Sequence, residues 1–306
     1  MSSVSVITVN YNHSKVTEAL LDSIISINDF GPVEVIVVDN GSSIDPTPQW
    51  RLKYSWVKFI RSERNLGFAG GNNLGIKDAT GDYLFFINND TEVTAGLIGK
   101  LVAMLDADST IGMVSPKIRY YDQPDVIQYA GFSAMNYYNA RTVSTGQGEK
   151  DSGQYDHLTG DTGFIHGAAM MVRREAISKA GLMHENYFLY YEEMDWCERI
   201  RKAGYKICVH MQAVIYHKES VSVGSTSALK EYFMNRNRIL FIRRNCDPAT
   251  IAVFWLYFVF VVAPRNMISY IMQKRWDFVP VLIKAIAWNI TNRTDSDDLG
   301  FPVNNR

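Results

Sequence analysis

Gly81-Asp82-Tyr83-Leu84-Phe85-Phe86-Ile87-Asn88-Asn89-Asp90-Thr91 sets an apolar run, residues 83–87, against an abrupt polar end carrying one carboxylate. A short apolar run bounded by turn-forming residues reads as a strand buried on both faces, as in a parallel sheet. Open α/β sheets bind ligands just beyond the carboxyl ends of such strands. Asp90 would stand at that rim, where a hard cation and a phosphate could meet it. The plainer alternative is an Asn/Asp turn that merely ends the strand.

Upstream, the same pattern repeats. Residues 4–9 form a β-rich run ending in Asn10-Tyr11-Asn12, and residues 33–38 run into Asp39-Asn40-Gly41. A third run, 57–60, leads through a glycine-rich segment to a helix over 73–79. Val16, Leu20, Ile24 and Ile27 recur at helical spacing, with Ser14 as the expected cap. Strand and helix alternate, so residues 1–110 are expected to form a mainly parallel, right-handedly wound sheet flanked by helices. Three polar strand ends would then converge on one rim and make a nucleotide-sized site.

Downstream the pattern loosens. Residues 117–154 read as hairpins or long loops, 168–172 as a strand, 192–203 as a helix, and 206–216 as a strand ending at His217. The last part changes character. Lys230, Arg236, Arg238, Arg243 and Arg244 precede an uncharged run, 251–263, bracketed by Pro248 and Pro264. That run is shorter than the roughly 20 residues a spanning helix needs. A second apolar segment, 278–290, follows Lys274-Arg275-Trp276. Basic residues beside apolar aromatic helices favour an anionic lipid surface; a buried helical tail or a homodimer contact is the alternative. Residues 295–306 read as a frayed terminus. The expected organisation is one domain over 1–225, split near 110 into nucleotide-binding and acceptor-binding parts, and a helical extension over 226–306.

The 306 residues are 47% apolar and 21% charged, with a formal charge of −1. That balance argues against nucleic acid as a partner. Cys197, Cys208 and Cys246 lie too far apart for a zinc site or a disulfide framework, and residues 1–9 carry no secretory pattern. Reduced thiols in a cytoplasmic protein are the expectation.

Individual residues narrow the chemistry. Asp39, at a strand end, could accept the N3–H of a uracil or thymine ring, or simply close an Asx-turn with Gly41. The segment 64–73 combines Gly67, Gly70 and Gly71 with Asn65, Asn72 and Asn73, suiting close approach to a sugar nucleotide at a helix N-terminus. Glu192, Glu193 and Asp195 open a helix, where acids are stabilised by the macrodipole. The aromatic run 187–191 ahead of them could raise a carboxyl pKa and make a general base. Asp90, His217 and diphosphate oxygens together could hold a divalent cation.

With these residues in order, the sequence resembles the inverting GT-A glycosyltransferases of family 2, within them the rhamnosyltransferase-like branch. The resemblance rests on Val6-Ile7-Thr8-Val9-Asn10-Tyr11-Asn12, Val37-Val38-Asp39-Asn40-Gly41-Ser42, Asn65-Leu66-Gly67-Phe68-Ala69-Gly70-Gly71-Asn72, Asn88-Asn89-Asp90 and Glu192-Glu193-Met194-Asp195. It implies a GT-A fold and donor contacts at Val9, Tyr11, Asp39, Asn65, Gly70, Asn72, Asn89 and Asp90. It implies Glu193 as catalytic base, and acceptor contacts at His166, Gly167, Glu192 and Trp196. Mg2+ or Mn2+ would be held by Asp90 and His217. Two departures stand out: Asn88 occupies the place of the first metal-motif acid, and Gly70-Gly71-Asn72 lacks the arginine common in the branch. The implied activity is transfer of a hexose, rhamnose from dTDP-rhamnose being preferred over UDP-sugars, to a glycan or lipid-linked glycan at the inner face of the plasma membrane. A non-catalytic sugar-nucleotide-binding or scaffold protein on the same fold is the alternative.

Overall fold

The computed structural model describes residues 2–218 and 227–303. Its first half alternates as the periodicity requires: β1 (Val4–Asn10), α1 (Ser14–Ile27), β2 (Glu34–Asn40), α2 (Thr47–Lys53), β3 (Val57–Ser62), α3 (Gly67–Asp78) and β4 (Tyr83–Ile87). These four strands are mutually parallel in the order β3-β2-β1-β4. Then follow β5 (Thr91–Val93), α4 (Leu97–Ala107), β6 (Ile111–Tyr120), β7 (Ile127–Tyr129), β8 (Gly160–Asp161), β9 (Ala169–Arg173), α5 (Arg174–Ala180), α6 (Glu192–Lys202) and β10 (Lys206–His217). β9 enters antiparallel between β4 and β6, and β10 lies parallel to β6. The helical extension comprises α7 (Ala228–Asn245), α8 (Pro248–Tyr257), α9 (Ala263–Met272) and α10 (Phe278–Thr291).

Alternation along β1 sorts the core into two layers. Val4 and Val6 pack with Leu20, Leu21 and Ile24 of α1 and with Leu101 of α4. Ile7 faces the other way, toward Ala69 and Ile76 of α3, in a cluster that also takes in Trp196 and Ile200 of α6 and Ile239–Ile242 of α7. The extension is thus continuous with the core. The expected division between residues 225 and 226 lies outside the described residues.

Four local expectations are corrected. Helix α3 begins at Gly67, six residues before the expected start, because its glycines pack rather than loop. A Cβ on Gly71 would lie 2.9 Å from Val9, and one on Gly75 would lie 2.5 Å from Ile7. The helix can approach the sheet only where side chains are missing. Second, α8 and α9 are continuous across Pro264, forming one helix, Pro248–Met272, of 25 residues. A π-turn at Phe258–Val262 precedes the proline, the kind of local rearrangement that accommodates a residue without an N–H. This helix is long and apolar enough to cross a membrane by length and composition. Third, the tail is tied down: Trp288 Nε1 donates to the Asp298 carbonyl, and Phe301 packs on Tyr232. Residues 304–306 lie outside the described residues. Fourth, Ser14 is the first residue of α1, and the cap position falls to His13 without a side-chain bond.

Candidate active site

The strand ends converge as the alternation implies. Asn10 pairs in register with Asp39, and a buried chain of side chains stitches three strands together. Asn10 Nδ2 donates to Asp39 Oδ1 (2.8 Å), Thr17 Oγ1 donates to Asn10 Oδ1 (2.9 Å), and Asn89 Nδ2 donates to Thr17 Oγ1 (2.9 Å). Buried polar groups need such partners, so these asparagines are fixed by one another. Above them opens a cavity of about 600 Å³.

Asp39 itself takes no part in the cavity lining. It is fully buried; Ser42 Oγ and Asn10 occupy one oxygen, while Arg61 Nη1 sits 2.6 Å from the other. This corrects the expectation of a carboxylate held open for a base, because a buried charge must be paired. Gly70 is likewise displaced: in α3 it faces Leu66 and Glu185. Val9, Tyr11, Asn65, Asn72, Asn89 and Asp90 do line the cavity.

Asp90 and His217 meet on that lining. β10 runs antiparallel to β5, placing His217 opposite Thr91; His217 Nε2 lies 3.2 Å from Asp90 Oδ1. The other ring nitrogen, Nδ1, is 2.8 Å from Gln128 Oε1. Asp90 Oδ1 is buried and makes no hydrogen bond beyond that contact with the imidazole. A buried carboxylate oxygen whose polar neighbour is an oriented imidazole suits a divalent cation completed by diphosphate oxygens and water. Among the described residues there is no group of three or more His, Cys, Asp or Glu arranged to hold a metal, so a bound cation would depend on those outside oxygens. His166 stacks edge-on against His217, with ring centroids 5.9 Å apart. Its Nδ1 accepts from the Ala168 N–H, and burial pushes its pKa down to about 3, with the neighbouring His217 acting in the same sense. His166 is therefore a neutral imidazole on the lining.

The acids of α6 divide in role. Glu192 and Glu193 line the cavity; Asp195 and Trp196 do not. Asp195 is clamped by Arg199 Nε (2.9 Å), Tyr187 Oη (3.1 Å) and Asn245 Nδ2 (3.0 Å). Burial pushes Glu193 up to about 7, against the opposing pull of the N–H groups of Glu193 and Met194. Burial and then the Glu193 charge hold Glu192 well above the ordinary carboxylate range, and its Oε2 has no hydrogen-bond partner. A neutral acid beside one that titrates near neutrality is an arrangement suited to proton transfer. Gly167 adjoins them: a Cβ there would lie 3.7 Å from Glu193 Cγ. Trp196 as an acceptor contact is corrected. It is fully buried, its Nε1 donates to the Gly181 carbonyl (2.8 Å), and its ring meets Phe86 edge-on.

Sequence reasoning missed Gln128, Phe68, Leu189, Tyr190, Leu229 and Lys230, all of which line the cavity. Lys230 is the one lysine or arginine among the described lining residues. It arrives on the first turn of α7, a helix that the sequence alone associates with the tail. Nothing local to residues 228–231 marks them as site residues.

Known proteins resemble this chain in sequence and fold. The family model described as glycosyl transferase family 2 matches residues 5–181. Over 301 residues the chain is 23% identical to the low-salt glycan biosynthesis hexosyltransferase Agl10 of Haloferax volcanii, covering 96% of this chain and 93% of that one. It is 28% identical over 247 residues to the N-acetylglucosaminyl-diphospho-decaprenol L-rhamnosyltransferase of Mycobacterium tuberculosis, covering 73% and 78%. Among solved structures, the mannosyltransferase PcManGT of Pyrobaculum calidifontis, in complex with GDP-Man and Mn2+, superposes with a TM-score of 0.58 at 16% identity, covering 95% and 87%. The fold is GT-A.

Proposed function

The chain belongs to glycosyl transferase family 2, and from that membership we propose that it is an inverting hexosyltransferase. It takes a sugar from a nucleoside diphosphate and passes it to a hydroxyl of a glycan or lipid-linked glycan during cell-surface polysaccharide synthesis. The observation that carries this reading is the meeting of Glu193 with Asp90 and His217 on one cavity lining. Glu193 deprotonates the acceptor hydroxyl, and the alkoxide attacks the anomeric carbon opposite the departing diphosphate. A divalent cation, Mg2+ or Mn2+, held by Asp90 and His217 would supply positive charge for the diphosphate oxygens. Lys230, on the same lining, adds a positive charge from α7.

The donor is a dTDP- or UDP-sugar, with dTDP-rhamnose preferred; the rhamnosyltransferase name of the mycobacterial relative supports that choice. The acceptor is presented at a membrane surface. Pro248–Met272 leaves much of its apolar surface uncovered: Leu256, Phe260, Ile268 and Met272 are exposed, as is Trp276 beside Lys274 and Arg275. An apolar helix ending in basic and Trp residues suits an anionic bilayer face, which supports the reading of an enzyme working at the inner surface of the plasma membrane. An alternative, a scaffold that binds sugar nucleotides without turnover, draws on Asn88 in place of an acid.

One experiment tests both parts. The protein is incubated with dTDP-rhamnose, UDP-galactose or UDP-N-acetylglucosamine and a lipid-linked glycan in vesicles containing anionic phospholipid. Release of nucleoside diphosphate from one donor is expected, with an inverted anomeric centre in the product and co-sedimentation of the protein that falls as salt is raised. Absence of release from every donor by folded protein favours the scaffold. A soluble dimer that ignores the vesicles overturns the membrane reading.

A further inference from the structure

The loop over residues 187–191, which delivers Glu192 and Glu193, holds a backbone shape that its residues resist. Phe188 (φ 62°, ψ −55°), Tyr190 (φ 70°) and Tyr191 (φ 73°) are bulky aromatics at positive φ. Such conformations persist only where the surroundings over-determine them. Asn237 of α7 supplies that constraint. Its Nδ2 donates to the carbonyls of Tyr187 (2.9 Å), Leu189 (2.7 Å) and Tyr190 (2.8 Å). An amide nitrogen has two hydrogens, so one is shared between two carbonyls.

The other end of Asn237 is equally fixed. Its Oδ1 accepts from Arg236 Nη1 at 2.7 Å, and Arg236 also donates to the Asn186 carbonyl. The Arg236 guanidinium lies 3.8 Å from the ring centroid of Trp288 in α10. Arg236 and Asn237 are both fully buried. The loop reaches the donor side as well: the Phe188 carbonyl accepts from the Phe68 N–H at 2.7 Å, and a Cβ on Gly67 would lie 2.1 Å from that oxygen. One strained loop therefore touches the start of α3 and carries the start of α6.

We propose that Asn237 is a positioning residue, which fixes this loop so that Glu193 and the start of α3 keep their relative placement across the cavity. The proposal rests on the reading of Glu193 as base. It makes α7 and α10 part of the catalytic unit, whatever the extension does at a membrane.

The test uses the full chain carrying Asn237→Ala and, separately, Asn237→Asp, which keeps the shape but offers three carbonyls no hydrogen. Turnover is expected to fall by about ten- to a hundredfold, the scale of a small misplacement at a reacting centre, with the donor KM little changed. The inflection of the pH–rate profile should move to lower pH, because a relaxed loop lets water reach Glu193. Tyr270→Phe is the control. It removes the bond from Tyr270 Oη to Glu231 between α9 and α7, away from the loop, and should lower the melting temperature without moving the inflection. Wild-type kcat and inflection in folded Asn237 variants would overturn the proposal, as would a loss no larger than that of Tyr270→Phe. If the Asn237 variants fail to fold, Arg236→Lys keeps the charge but loses the planar fork and the stack on Trp288. The same split is expected there, and an unchanged kcat contradicts the proposal. Activity in Glu193→Gln would show that the base assignment itself is wrong. An inactive Glu193→Gln beside normal Asn237 variants would reject only the positioning role.

Discussion

Glu193→Gln is expected to lower kcat by roughly 10²- to 10⁴-fold while leaving the affinity for the nucleotide nearly intact. The amide keeps the shape and loses the basic lone pair, so binding survives and proton removal does not. The wild-type profile should carry the signature of that base. Glu193 is pushed up to about 7 by burial, and only its deprotonated form accepts a proton, so the rate should rise through pH 7 to a plateau. Stability should run the other way. The folded value lies above the ordinary glutamate value of 4.5, so the folded state holds a proton that the unfolded chain has released between about pH 4.5 and 7. Stability contributed by this group therefore falls as pH rises through that window. Glu193→Gln removes the cost, and the variant should be more stable than wild type at pH 8, with little difference at pH 4. Chemical denaturation at the two pH values measures this. Normal turnover in the variant, or identical stabilities at both pH values, would contradict the assignment.

Trp196→Ala is expected to cost about 3–5 kcal/mol, a large part of a typical domain's stability. The side chain is fully buried, stacks edge-on against Phe86 with centroids 5.5 Å apart, and donates to the Gly181 carbonyl. Truncation leaves a cavity and an unpaired carbonyl together. Trp196→Phe, which fills most of the volume, should lose less. The folded fraction of either variant should retain the wild-type acceptor KM, since the ring never reaches the cavity. A raised acceptor KM without loss of stability would restore Trp196 to the acceptor site.

How far each element was legible follows from where its determinants lie. β1, β2 and β4 could be read because each is a continuous apolar run with a polar end, and their convergence followed from parallel pairing. Trp196 sits at helical spacing with Ile200 and Ala203, so its core role was readable beside the functional one. The start of α3 was hidden because Gly67, Gly70 and Gly71 are poor helix formers on their own; their reasons lie elsewhere in the chain, Phe188 against Gly67 and Val9 of β1 against Gly71. Pro264 read as a boundary because a proline usually is one, and the π-turn that accommodates it has no sequence mark. Asp39 looked available because its partner Arg61 is 22 positions away. The contribution of α7 was least legible. Lys230 and Asn237 reach the site through tertiary packing, and no motif near either points there.

The most direct measurement is a calorimetric titration of the protein with dTDP and UDP, first with Mn2+ and then with EDTA. The account predicts that one of the two nucleotides binds in a metal-dependent manner, and that Asp90→Ala abolishes the difference between the two conditions. Failure of folded, metal-supplied protein to bind either nucleotide, or equal binding with and without the cation, would contradict it.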